Sequence, residues 1–173
     1  KTTDYVGNKV YENGVLKRIL TENGYYENGN YYFYVKNHQG SNVVVANRNG
    51  NVVQQTHYYP FGLTMSISDG QGAQPYKYTG KELDMEHGLM QYDFEARQYD
   101  PTVGRFMTMD PLAEKYYSVS PYAYCANNPV RYIDPNGMSY TYNWNTGNYE
   151  DEDGNIISWG ASFIIGLLML HIL

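Results

Sequence analysis

The chain has 173 residues, of which 21 are Tyr and 17 are Gly, while Asp, Glu, Lys and Arg together make up 17%. The formal charge is −6, from 12 basic and 18 acidic residues; with no Lys/Arg cluster beyond Lys17-Arg18, a nucleic-acid surface is excluded. Cys125 is the single cysteine, which rules out an internal disulfide and a cysteine-based zinc set.

Tyr and Phe suit a pleated, half-buried surface, and Gly beside Asn suits tight reversals. Together they predict an all-β fold of antiparallel hairpins. The N-terminus, Lys1-Thr2-Thr3-Asp4, does not read as a leader, so the chain is expected to be a piece of a longer protein. Across residues 1–62, Asn13-Gly14, Asn23-Gly24, Asn28-Gly29 and Asn49-Gly50 predict two-residue hairpin turns, because both residues tolerate the positive φ such turns need. Apolar and aromatic runs lie between them, including Tyr31-Tyr32-Phe33-Tyr34-Val35. Val43-Val44-Val45 and Val52-Val53 read as one hairpin. Units of about ten residues predict a stack in which each hairpin covers the next, with an unprotected first strand.

After Tyr58-Tyr59-Pro60-Phe61-Gly62, residues 63–75 read as a loop from Ser66, Ser68, Asp69-Gly70, Gly72 and Pro75. Residues 89–99 alternate, with Met90, Tyr92, Phe94 and Ala96 on one face and Gln91, Asp93, Glu95 and Arg97 on the other, which predicts one half-buried strand. Asp-Pro steps at 100–101, 110–111 and 134–135 each end or bend an element. A short helical segment is expected near 111–117 or in the tail. The last 18 residues, 156–173, carry no Asp, Glu, Lys or Arg. That length reaches the lower range for a membrane span and also fits buried core.

Residues 32–62 resemble the final repeat that precedes the core domain of the Rhs/YD-repeat family, and residues 76–137 resemble nearly the whole of that core. The resemblance rests on the opening Tyr78-Thr79-Gly80-Lys81-Glu82-Leu83-Asp84, then Ala96-Arg97-Gln98-Tyr99-Asp100-Pro101, Gly104-Arg105-Phe106, Asp110-Pro111, Asn127-Asn128-Pro129 and Asp134-Pro135-Asn136-Gly137, in that order. It implies a β-cocoon shell fragment (1–62), a repeat-associated core (76–137) and a variable C-terminal extension (138–173). Members are polymorphic toxins or toxin-complex shells, secreted or at the cell surface, whose repeats enclose a C-terminal payload. The implied partners are the rest of the shell, the payload, and a cognate immunity protein or secretion component, with membrane contact through 156–173 left open. A second reading is a surface or adhesion repeat protein that binds glycans or proteins through its aromatic face, without catalysis.

In members that cut themselves, the site maps onto Arg97, Asp110 and Asp134, with the scissile bond near Met138-Ser139. The chemistry is that of two nearby acids that cannot both ionise cheaply, so one donates a proton while the other activates water. Arg97 would orient a carboxylate or stabilise the oxyanion. The structural alternative is that each Asp caps its own turn and Arg97 pairs with Asp93 or Glu95. No cofactor or metal is expected: His38, His57, His87 and His171 share no ligand spacing, and Gly80-Lys81-Glu82 lacks the Ser/Thr of a phosphate loop.

Overall fold

A computed structural model describes residues 2–69, 74–139 and 141, with the side chains of 66–69 and of 87 left aside. Two antiparallel sheets account for nearly all regular structure. The first is an eight-stranded meander, neighbour following neighbour: β1 (Thr3–Val6), β2 (Lys9–Glu12), β3 (Val15–Thr21), β4 (Gly24–Glu27), β5 (Asn30–Lys36), β6 (Asn42–Asn47), β7 (Val52–Tyr58) and β8 (Thr64–Asp69). The second is a small four-stranded meander of β9 (Glu82–Asp84), β10 (Gln91–Asp93), β11 (Gln98–Asp100) and β12 (Arg105–Phe106). Among the described residues, four one-turn 3-10 segments precede, interrupt or follow it, one of them Ala113–Lys115, within the window expected to be helical.

Asn13-Gly14 and Asn28-Gly29 form the expected two-residue turns, with φ of 50° and 77° in the first and 50° and 80° in the second. Asn23-Gly24 does not. Thr21 pairs with Gly24, so the reversal falls on Glu22-Asn23 and the glycine enters β4. A second kind of reversal recurs four times, at Asn37–Ser41, Asn47–Asn51, Tyr59–Leu63 and Lys77–Lys81. In each, the first N–H donates to the fifth carbonyl and the glycine in fourth place donates to the first carbonyl. The glycine sits at positive φ every time, as a residue closing a turn with a bulge must.

Two sequence expectations are corrected. The predicted loop over 63–75 contains β8, registered on β7 from Tyr58↔Thr64 to Gln54↔Asp69. Thr64, Met65 and Ile67 supply strand-forming residues, and an open ladder on β7 outweighs the Ser and Asp that suggested a loop. Residues 89–99 are two strands rather than one. The chain reverses over Phe94–Arg97, where Asp93 Oδ1 accepts the Glu95 N–H at 2.7 Å, Glu95 takes φ 69° and Phe94 N–H donates to Arg97 O.

The core is built on the small sheet and the segments around it: Tyr78, Leu83, Tyr92, Phe94, Tyr99, Phe106, Tyr124 and Cys125 form one buried cluster, with Tyr58 of β7 and Phe61 packed against it. Its rings meet edge-on or tilted at 4.5 to 6.0 Å in the contacts around Tyr124, the geometry ring quadrupoles favour. Three successive carbonyls of the 59–63 reversal tie it to the large sheet. Pro60, Phe61 and Gly62 O accept the hydroxyls of Tyr78, Tyr99 and Tyr92 at 2.8, 2.8 and 3.0 Å. Tyr117 lies outside this cluster and is almost fully exposed. The apolar segment 156–173 lies outside the described residues; among those described, no helix is long and apolar enough to cross a membrane.

Candidate functional site

Three loops and one strand end meet at the far side of the aromatic core. Arg97 begins the return from the 94–97 reversal, Asp110 opens the loop after β12, and Asp134 opens the Asp134–Gly137 turn. The reversal inverts the alternation: Tyr92 and Phe94 are buried before it, Arg97 and Tyr99 after it. Arg97 therefore sits on the apolar side rather than the predicted polar face, only 4% exposed. Its guanidinium stacks on Phe106, with Cζ 3.6 Å from the ring centroid.

All three nitrogens of the fork are engaged. Nε donates to Gly137 O, Nη1 donates to Pro121 O at 3.0 Å, and Nη2 reaches Asp110 Oδ2 at 2.9 Å and Asp134 Oδ2 at 3.7 Å. Both carboxylates turn their other oxygen to their own turn. Asp110 Oδ1 accepts Leu112 N–H at 2.7 Å; Asp134 Oδ1 accepts Gly137 N–H at 2.7 Å. The turn-cap alternative is thus true of each aspartate, and it leaves one oxygen of each for Arg97. The expected pairing of Arg97 with Asp93 or Glu95 does not form: Asp93 caps the reversal, and Glu95 pairs with Lys81 at 2.7 Å.

Burial pushes the Asp134 carboxyl up from 3.8 to about 6, against the lowering pull of Gly137 N–H and Arg97. Burial also lowers the Arg97 guanidinium, opposed by Asp110 and Asp134. The arrangement holds one acid whose protonated form the fold favours up to about pH 6 beside a second carboxylate that is paired with a cation, a division of labour that acid–base chemistry can use.

Sequence reading missed Gly137 and Asn136 as parts of the site. A Cβ on Gly137 would meet Phe94 O at 2.8 Å, and Asn136 O accepts Ala96 N–H at 3.2 Å. The Asp134–Gly137 turn is thereby docked onto the 94–97 reversal, with Ser139 buried just beyond it. The signal for them was the Asp134-Pro135-Asn136-Gly137 motif that contains both. Among the described residues no group of His, Cys, Asp and Glu could hold a metal; His38 and His57 are exposed on hairpins.

A Tyr-rich meander sheet joined to a small aromatic core, with an Arg between two Asp-Pro turns beside it, defines a class of shell protein. The chain belongs to the YD-shell family: the teneurin YD-shell family model matches residues 24–145. It is 41% identical over 117 residues to salivary gland surface protein 1 of Aedes aegypti, covering 66% of this chain and 3% of that protein. It is 34% identical over 134 residues to the tRNA3(Ser)-specific nuclease WapA of Bacillus spizizenii, covering 75% of this chain and 6% of that protein. The crystal structure of TcdB2-TccC3-Cdc42 shares the fold, with TM-score 0.65 and 21% identity over 79% of this chain and 8% of that one. The chain thus spans between 3% and 10% of the length of the first relatives it matches.

Proposed function

We propose that this chain is the closing segment of a secreted or surface-delivered YD-shell toxin. On this reading β1–β8 are the last stretch of wall, and the aromatic core with β9–β12 is the plug. Arg97, Asp110 and Asp134 cut the Met138–Ser139 bond once and free a C-terminal payload. The supporting observation is that both carboxylates share one buried guanidinium, which also holds Gly137 O, one residue before the scissile peptide.

Asp110 takes a proton from a water whose oxygen bonds to the Met138 carbonyl carbon. Asp134 gives its proton to the Ser139 nitrogen as the C–N bond breaks. Arg97 holds the target segment and balances the charge. The partners on this reading are the remaining shell and the payload, with an immunity protein meeting the payload and a secretion component meeting the whole protein. Relatives such as the Bacillus nuclease would then carry their activity outside the small part matched here.

The test is the full-length shell, analysed by mass spectrometry for a fragment beginning at Ser139. Asp110→Asn and Asp134→Asn are each expected to abolish release, and Arg97→Lys to slow it, because a point charge cannot replace the planar fork. Release should also decline as pH rises past about 6, since Asp134 must carry its proton. An intact, folded wild-type shell would leave the three residues as turn caps and a buried ion pair.

A further inference from the structure

Asn136-Gly137 differs from the other Asn-Gly steps in what surrounds it. Asn13-Gly14, Asn23-Gly24, Asn28-Gly29 and Asn49-Gly50 lie at reversals of the large sheet, and among the described residues none of these glycines gives its N–H to a carboxylate. Gly50 N–H, for example, goes to the Asn47 carbonyl. Gly137 N–H instead donates to Asp134 Oδ1 at 2.7 Å, in a buried position. The Asn136 side-chain carbonyl accepts Met138 N–H at 3.1 Å, which folds Cγ back over the chain that follows it. Ala96 N–H and the Gly137 O–Arg97 bond fix the backbone on either side.

These are the parts that cyclisation of an asparagine requires: a base on the following nitrogen, a donor on the amide oxygen that becomes negative, and a glycine that offers the nitrogen without a side chain in the way. We propose that Asn136 is a self-modification site, converted through a cyclic imide to Asp or isoaspartate with Asp134 as the general base. Gly137 N loses its proton to Asp134 and bonds to Asn136 Cγ. The Cγ–Nδ2 bond breaks, and the nitrogen leaves as ammonia with the proton that Asp134 held. Water then opens the ring at either carbonyl. The β-linked product lengthens the backbone by one methylene between Asp134 and Gly137, where a Cβ on Gly137 would already meet Phe94 O at 2.8 Å. The turn loses its fit against the 94–97 reversal and its hold on Arg97. No step here requires cleavage at Met138–Ser139, so the two readings stand or fall separately.

The folded chain is incubated at mildly alkaline pH and physiological temperature, digested, and mapped by mass spectrometry for ammonia loss and amide-to-acid exchange at each Asn-Gly step. General-base assistance is worth ~10²–10⁴-fold, so Asn136 should react at least about tenfold faster than Asn13, Asn23, Asn28 and Asn49 in the same sample. In urea the five rates should converge, and in folded Asp134→Asn the rate at Asn136 should drop to that of the others. The proposal is overturned if Asn136 reacts no faster than the hairpin asparagines in the folded chain. It is equally overturned if its lead persists in urea or in folded Asp134→Asn. Should that variant not fold, the comparison of folded and urea-treated wild-type chains decides.

Discussion

Arg97 shows how far single residues could be read. Its place among the candidate site residues came from the resemblance carried by the motif around it, as did those of Asp110 and Asp134, and the structure brings the three side chains together. Its burial was not legible. Alternation over 89–99 put it on the polar face, and only the two-strand reversal, set by Asp93 capping Glu95 N–H, changes the parity. Asp134 carries a measurable consequence of that burial. Its carboxyl titrates at about 6 in the fold against 3.8 ordinarily, so the fold favours the protonated form. The stability this contributes is complete below about pH 4 and is lost as pH rises through about 6, a difference of roughly 3 kcal/mol. Asp134→Asn has no proton to lose. Urea midpoints of the wild type are therefore expected to fall relative to those of Asp134→Asn between about pH 4 and 7, other groups cancelling in the comparison. Parallel profiles would count against a raised Asp134.

The elements teach a different lesson. Strand content and hairpin order followed from Tyr, Val and Asn-Gly, but turn position did not always. Asn23-Gly24 and Asn28-Gly29 are the same dipeptide in similar surroundings. Pairing of Thr21 with Gly24 moves the first reversal back by one residue, and register is a property of two strands that no local window contains. Three of the four five-residue reversals escaped notice for a related reason: their signal is a glycine in fourth place, and only Asn47–Asn51 has an Asn before it, where a two-residue turn was expected instead. The two dipeptides should respond differently to mutation. A Cβ on Gly24 would lie 1.9 Å from Tyr32 O in the adjacent strand, whereas one on Gly29 meets nothing within 4 Å. Gly29→Ala should cost about 1–2 kcal/mol, the left-handed backbone penalty alone. Gly24→Ala must part β4 from β5 and should cost more than about 3 kcal/mol. Equal losses in thermal or urea unfolding would contradict the register.

At the scale of the molecule, the question is whether wall and plug form one cooperative unit. The contacts argue that they do. Asn42 N–H donates to Lys77 O and Thr79 N–H to Ser41 Oγ, while Gln39 Nε2 donates to Pro129 O. The strongest tie is the 59–63 reversal, whose carbonyls take hydroxyls from residues scattered over the plug. No sequence window showed this, because a phenol that closes a distant loop looks like any other Tyr in an aromatic run. Removing one hydroxyl leaves a carbonyl without its partner inside the protein, which costs about 1–3 kcal/mol. Tyr92→Phe and Tyr99→Phe should each lose that much, since they serve Gly62 O and Phe61 O. Tyr122→Phe, at a ring 41% exposed, should be near neutral. The two carbonyls are adjacent in one loop, so once the first is released the second hydroxyl holds less. The double variant should therefore fall short of the sum of the singles by at least about 0.5 kcal/mol. Unfolding in urea, followed by far-ultraviolet circular dichroism, is expected to stay a single transition in every variant. Strict additivity, or a wild type that melts in two steps, would mean that wall and plug are separate folding units that merely touch.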